Sequence, residues 1–71
     1  MATEFTVLIE DRPGALADLA ETLARNGINI MAIHATPCPG EGVVQMITNN
    51  NDATVNALRD AGVKYTVREV L

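Results

Sequence analysis

Aromatic side chains are almost missing from this 71-residue chain: Phe5 and Tyr65 are the only two, and there is no tryptophan. With 48% of residues apolar, the core has to be assembled from Ala, Val, Leu, Ile and Met. A core of that kind is thin for so short a chain, and domains of this size usually rely on a staple or a partner. Cysteine is nearly as scarce. Cys38 stands alone, which excludes an internal disulfide and leaves self-association as the expected source of extra stability. Positive charge is also short, with five Lys and Arg against nine Asp and Glu and a formal net charge of −4. Arg12, Arg25, Arg59, Lys64 and Arg68 are scattered, so no patch exists to displace counterions from a nucleic-acid backbone. Long apolar runs are lacking too. Met1-Ala2-Thr3-Glu4 leads directly into an alternating segment, so neither a signal peptide nor a membrane span is expected, and a cytoplasmic location is the default.

What is present is a regular succession of short patterned segments. Glu4 to Glu10 places Phe5, Val7 and Ile9 at period two with Leu8 on the other side, as in a strand with one face on a core. Asp11-Arg12-Pro13-Gly14 is turn chemistry, and proline is tolerated at a helix start. Leu16, Leu19, Ala20 and Leu23 then recur at helical spacing, and Gly27 reads as a left-handed C-cap. Ile28 to Thr36 reads as a second strand whose phase breaks between Ile30 and Ile33, the mark of a bulge. Pro37 to Gly42 is expected to be a loop. Val43 to Thr48 reads as a third strand and Asn49 to Asn51 as a polar turn. Asp52 is the expected cap of a second helix carrying Val55, Leu58 and Ala61 inward before Gly62 stops it. Val63 to Leu71 supplies a fourth strand.

The order β-α-β-β-α-β predicts one ferredoxin-like α+β domain over residues 1–71. Its antiparallel sheet has spatial order 4-1-3-2, because right-handed crossovers put both helices on the same face. The opposite face stays open, and the second and fourth strands are left as edges available for pairing.

Unusual residues concentrate where the first strand meets the first helix. Amides at a helix N-terminus favour a carboxylate, Gly14 leaves the backbone approachable, and Asp11 can accept hydrogen bonds from an ammonium. Together they would address both ends of an amino acid. The same residues also read as ordinary capping by Asp11 and turning by Pro13-Gly14.

The stretch from Val7 to Thr36, with Asp11-Arg12-Pro13-Gly14-Ala15-Leu16 followed at the right distance by Gly27-Ile28-Asn29-Ile30, resembles the ACT domain family. The likeness continues more weakly through Val43 to Thr48 and Gly62 to Leu71. The resemblance implies a regulatory module that pairs side by side into an eight-stranded sheet and holds an amino-acid-like effector at the interface, in association with an enzyme of amino-acid metabolism. It places Asp11, Arg12, Pro13, Gly14, Ala15 and Leu16 of one chain against Asn29 and Ile30 of its partner, with Asn29 offering its amide. Asp11 stands where serine-binding members carry an amide, and Ile9 offers no polar contact.

Other residues read more plainly. His34 is an ordinary polar face residue, and with Cys38, an exposed loop thiol, it builds neither a metal site nor a Cys-x-x-Cys pair. Met46 should pack inward, and Met31 is core or interface material. The central strands lack the aromatic platforms of RNA-binding domains. No catalytic constellation appears, so no enzyme activity and no cofactor are expected. The alternative to a ligand sensor is a ligand-free oligomerising or regulatory subunit of a larger enzyme.

Overall fold

A computed structural model describes residues 2–10, 12, 14–38 and 40–70. Its elements are β1 (Ala2–Glu10), α1 (Ala15–Arg25), β2 (Ile30–Cys38), β3 (Glu41–Thr48), α2 (Asn51–Ala61) and β4 (Lys64–Val70). They form one four-stranded sheet in the order β2-β3-β1-β4, every neighbouring pair antiparallel. This is the ferredoxin-like order expected from the pattern.

Period-two alternation decides which face is the core. Phe5 and Val7 of β1 pair with Met46 and Val44 of β3, and all four are at most 1% exposed. Leu19 and Leu23 of α1, Ala57 and Leu58 of α2, and Ile28 close over them in one cluster. Each such aliphatic side chain contributes about 1.5–3 kcal/mol when fully removed from water. The opposite face runs in mixed rows: Val43 beside Leu8 and Lys64, Gln45 beside Thr6 and Thr66. Polar residues interrupt its apolar ones at every row.

Both helices turn differently from their expected stripes. In α1 the buried positions are Ala15, Leu19 and Leu23, spaced by four, while Leu16 is 38% exposed because it flanks the contact with the sheet. In α2 they are Thr54, Ala57 and Leu58; Val55 is half-buried and Ala61 exposed. A buried threonine is tolerated because its hydroxyl is satisfied. Thr54 Oγ1 donates to the Asn50 carbonyl at 2.7 Å and lies 2.7 Å from Thr48 Oγ1. The α2 cap is Asn50, not Asp52: its side chain accepts from the Ala53 amide at 3.0 Å. Asn51 already belongs to the helix, so the polar turn is one residue shorter than Asn49 to Asn51. At the other end Gly62 is left-handed, with φ 72°.

The expected loop from Pro37 to Gly42 is mostly strand. Pro37 lies opposite Gly42 and Cys38 opposite Glu41, because pairing propagates to the tightest turn the hairpin allows and an edge strand tolerates proline. Cys38 is therefore a strand residue rather than a loop residue. The phase break in β2 is real, with a register shift between Ile30 and Ala32. Met31 sits at this break and is 70% exposed, so it is not core. No helix is long and apolar enough to cross a membrane among the described residues.

Candidate functional site

The turn between β1 and α1 stands where the backbone must leave the sheet and start a helix within a few residues. Gly14 makes this possible with φ 87°, a region open to glycine and costly for other residues. It is the N-cap of α1, and no side chain among the described residues caps the helix. The Ala15 amide donates back to the Arg12 carbonyl at 3.2 Å and the Asp18 amide to the Gly14 carbonyl at 2.8 Å; among the described residues no side chain caps the Leu16 or Ala17 amide. A Cβ placed on Gly14 would meet nothing within 4 Å, so the glycine is required here by its backbone conformation and not by crowding. Asp11 and Pro13, expected to contribute here, lie outside the described residues.

Arg12 braces the turn. Its guanidinium donates to Glu10 at 3.0 Å and to Asp18 at 3.1 Å, and bonding first to Asp18 and then to Glu10 raises its pKa above the ordinary value. Arg12, which the resemblance puts among the ligand-facing residues, is an exposed side chain that clasps the end of β1 to the first turns of α1.

Beside the clasp, on the side facing β2, lies a hollow of about 170 Å³ lined by Ala15, Leu16, Ala35, Thr36 and Val44 among others. Ala15 and Leu16, which the resemblance puts among the ligand-facing residues, line it. Asn29 and Ile30 do not line it. Ile30 begins β2 opposite Thr48, whereas Thr36, opposite Val43, stands at the far end; six residues of extended chain separate them by about 20 Å. Within one chain the two halves of the expected site are therefore apart.

Asn29 is nevertheless held. Its amide donates to Asn49 Oδ1 at 2.9 Å and its carbonyl accepts from the Asn49 amide at 3.1 Å. The Asn29 side chain is not used in this clamp and is exposed. Asn49 was invisible as a site-supporting residue because its partner lies twenty positions away and only the β2–β3 pairing unites them. The hollow-lining role of Ala35 and Thr36 was equally hidden, since both read as ordinary strand residues.

The outer edge of β2 has no strand beyond it. Along it Met31 is 70% and Ile33 48% exposed, although Ile33 lies opposite the buried Met46 and so points to the helix-bearing side. They give this edge an apolar margin.

The sequence matches the ACT domain family over residues 3–62. This chain belongs to the ACT domain family. As an ACT domain its broad class is that of a regulatory small-ligand-binding module. Solved structures similar to it include protein BT0572 from Bacteroides thetaiotaomicron, at 24% identity and TM-score 0.86 over 94% of this chain and 46% of that one. The ligand-free regulatory subunit of aspartate kinase from Thermus thermophilus aligns at 22% identity and TM-score 0.80, over 93% and 49% of the two chains. The ACT domain of prephenate dehydrogenase from Bacillus anthracis aligns at 22% identity and TM-score 0.75, over 89% of this chain and 99% of that domain. This ACT domain thus spans about half the length of the first two. A search of curated protein sequences finds no match.

Proposed function

We propose that this ACT domain is a non-catalytic, cytoplasmic regulatory module that binds an amino acid or similar small zwitterion at a homodimer interface and reports its occupancy to an enzyme of amino-acid metabolism. The observation that supports this most is the free β2 edge with its apolar margin. When two antiparallel copies of an edge strand pair, the start of each lies beside the end of the other. Asn29 of the partner subunit then comes to the Thr36 end of β2, next to Leu16 and the first-turn amides after Gly14. The two separated halves of the site are reunited across the dimer, and neither is complete without the other. A ligand carboxylate takes the helix N-terminus, and the Asn29 amide takes a second polar group. Because such a ligand touches both chains, its binding stabilises the dimer by linkage.

Light-scattering chromatography combined with calorimetric titration against each proteinogenic amino acid tests this reading. A dimer that binds one of them, with binding lost in Asn29→Ala, is the expected result. A dimer that takes up none of them at millimolar concentration, yet co-purifies with and controls a larger enzyme, favours the ligand-free subunit. A chain that stays monomeric at high concentration overturns both.

A further inference from the structure

The corner where α1 gives way to β2 carries a chemistry that the interface site does not use. The chain has six asparagines, and Asn26 is the only one followed by glycine. The carboxamide of an asparagine is open to attack by the main-chain nitrogen of the next residue, and a glycine there presents no side chain to obstruct the approach. Asn26 and Gly27 are both exposed, and a Cβ built on Gly27 would meet nothing within 4 Å, so water reaches the pair.

The fold nevertheless holds the reacting atoms apart. Asn26 is the C-cap of α1, and Gly27 follows it in the left-handed region with φ 73°. The Gly27 amide donates to the Ala24 carbonyl at 3.0 Å and the Ile28 amide to the Leu23 carbonyl at 3.0 Å, the pair of bonds that closes a helix on a left-handed glycine. Leu23 and Ile28 both belong to the core cluster and anchor this closure. The attacking nitrogen is thus engaged through its hydrogen. The carboxamide is engaged as well: Asn26 Nδ2 donates to the Thr22 carbonyl at 2.7 Å, which turns the side chain back along the helix and away from Gly27. A five-membered ring through Cγ requires the Gly27 nitrogen to lie nearly eclipsed with Asn26 Cβ. With ψ 11° at Asn26 it lies instead nearly eclipsed with the Asn26 nitrogen.

We infer that Asn26 is a latent deamidation site, which the closed corner of α1 holds off and which reacts when that corner opens. In the reaction the Gly27 nitrogen gives its proton to solvent base and attacks Asn26 Cγ. The N–Cγ bond forms, the Cγ–Nδ2 bond breaks, and Nδ2 takes up a proton and leaves as ammonia. Water then opens the cyclic imide at either carbonyl, leaving aspartate or an isoaspartyl link whose main chain is one atom longer. Neither product rebuilds the corner as it was. The carboxylate has no hydrogen to donate to Thr22 and stands at the negative end of α1, while the longer link shifts Gly27 out of register with Ala24. The modification therefore marks chains that have opened, at a rate that follows the open population. It needs neither ligand nor partner.

The test is peptide mapping by mass spectrometry after ageing in mildly alkaline buffer, for the folded chain and for the same chain in guanidinium chloride. Asn26→Gln, whose longer side chain closes a larger ring far more slowly, and Leu23→Ala, which loosens the corner, are aged beside it. The expected result is deamidation concentrated at Asn26, in aspartyl and isoaspartyl forms, at least about tenfold slower in the folded chain than in denaturant. Leu23→Ala is expected to raise the rate without denaturant toward the denatured one, and Asn26→Gln to abolish the reaction at this position. Asn26→Asp, which carries the product's charge, is expected to unfold at a lower urea concentration than the wild type. The inference is overturned by equal rates in the folded and denatured chain, by denatured-state reaction spread evenly over the other asparagines, or by a Leu23→Ala rate equal to that of the folded wild type. An Asn26→Asp midpoint equal to that of the wild type also overturns it.

Discussion

Leu23 has no exposed surface and sits in the one core cluster of the chain, so removing its side chain leaves a hole that few neighbours can fill. Leu23→Ala is expected to cost about 2–5 kcal/mol, a large share of the stability of so small a domain; urea unfolding followed by circular dichroism measures it. Thr54 tests a different force. Replacing it with valine keeps the shape but deprives Thr48 Oγ1 of its close neighbour, and a loss of about 1–2 kcal/mol is expected by the same measurement. Gly14→Ala meets no steric obstacle beyond the backbone itself, so its expected cost of about 1 kcal/mol is the left-handed conformation alone. The core residues of β1 were legible from alternation, but Thr54 was not, because nothing local says that a threonine hydroxyl will find Asn50 and Thr48.

At the scale of elements, the two helices begin in different ways. α2 opens on Asn50, whose side chain accepts from the Ala53 amide, while α1 opens on a left-handed glycine with no side-chain cap among the described residues. Asn50→Ala is expected to destabilise the protein by about 1 kcal/mol, whereas Asp52→Ala, which removes only a favourable charge in the first turn, costs a few tenths. A urea series comparing the two variants distinguishes them, and equal losses would contradict the assigned cap. The sequence offered Asn49, Asn50, Asn51 and Asp52 as chemically similar caps. Choosing among them required knowing where β3 ends at Thr48. The boundary of the β2–β3 hairpin was misjudged for a related reason: Pro and Gly weaken strand pairing locally, yet β2 and β3 are already aligned over their whole length.

The whole molecule has two open margins, the outer edges of β2 and β4; each carries a half-exposed apolar residue on the helix-bearing side, Val67 on β4 and Ile33 on β2, and β2 adds the exposed Met31. A charge placed there should keep copies apart. Ile33→Asp is expected to leave the circular dichroism spectrum unchanged while shifting the proposed dimer toward monomer and removing the concentration dependence of Tm expected for the wild type. Light scattering across a dilution series provides the check, and an unchanged dimer would assign the interface elsewhere.

By itself the sequence determined the succession of elements, the core face of β1 and β3 and the glycine-permitted turn before α1, because alternation, helical spacing and positive-φ positions are local properties of the chain. Which helix stripe is buried, that Arg12 bridges Glu10 and Asp18, that Asn49 clamps Asn29, and that Asn29 and Leu16 lie toward opposite ends of β2 were decided only by the tertiary structure. Those relations depend on strand register and on the distance between elements, and neither is written in any short segment.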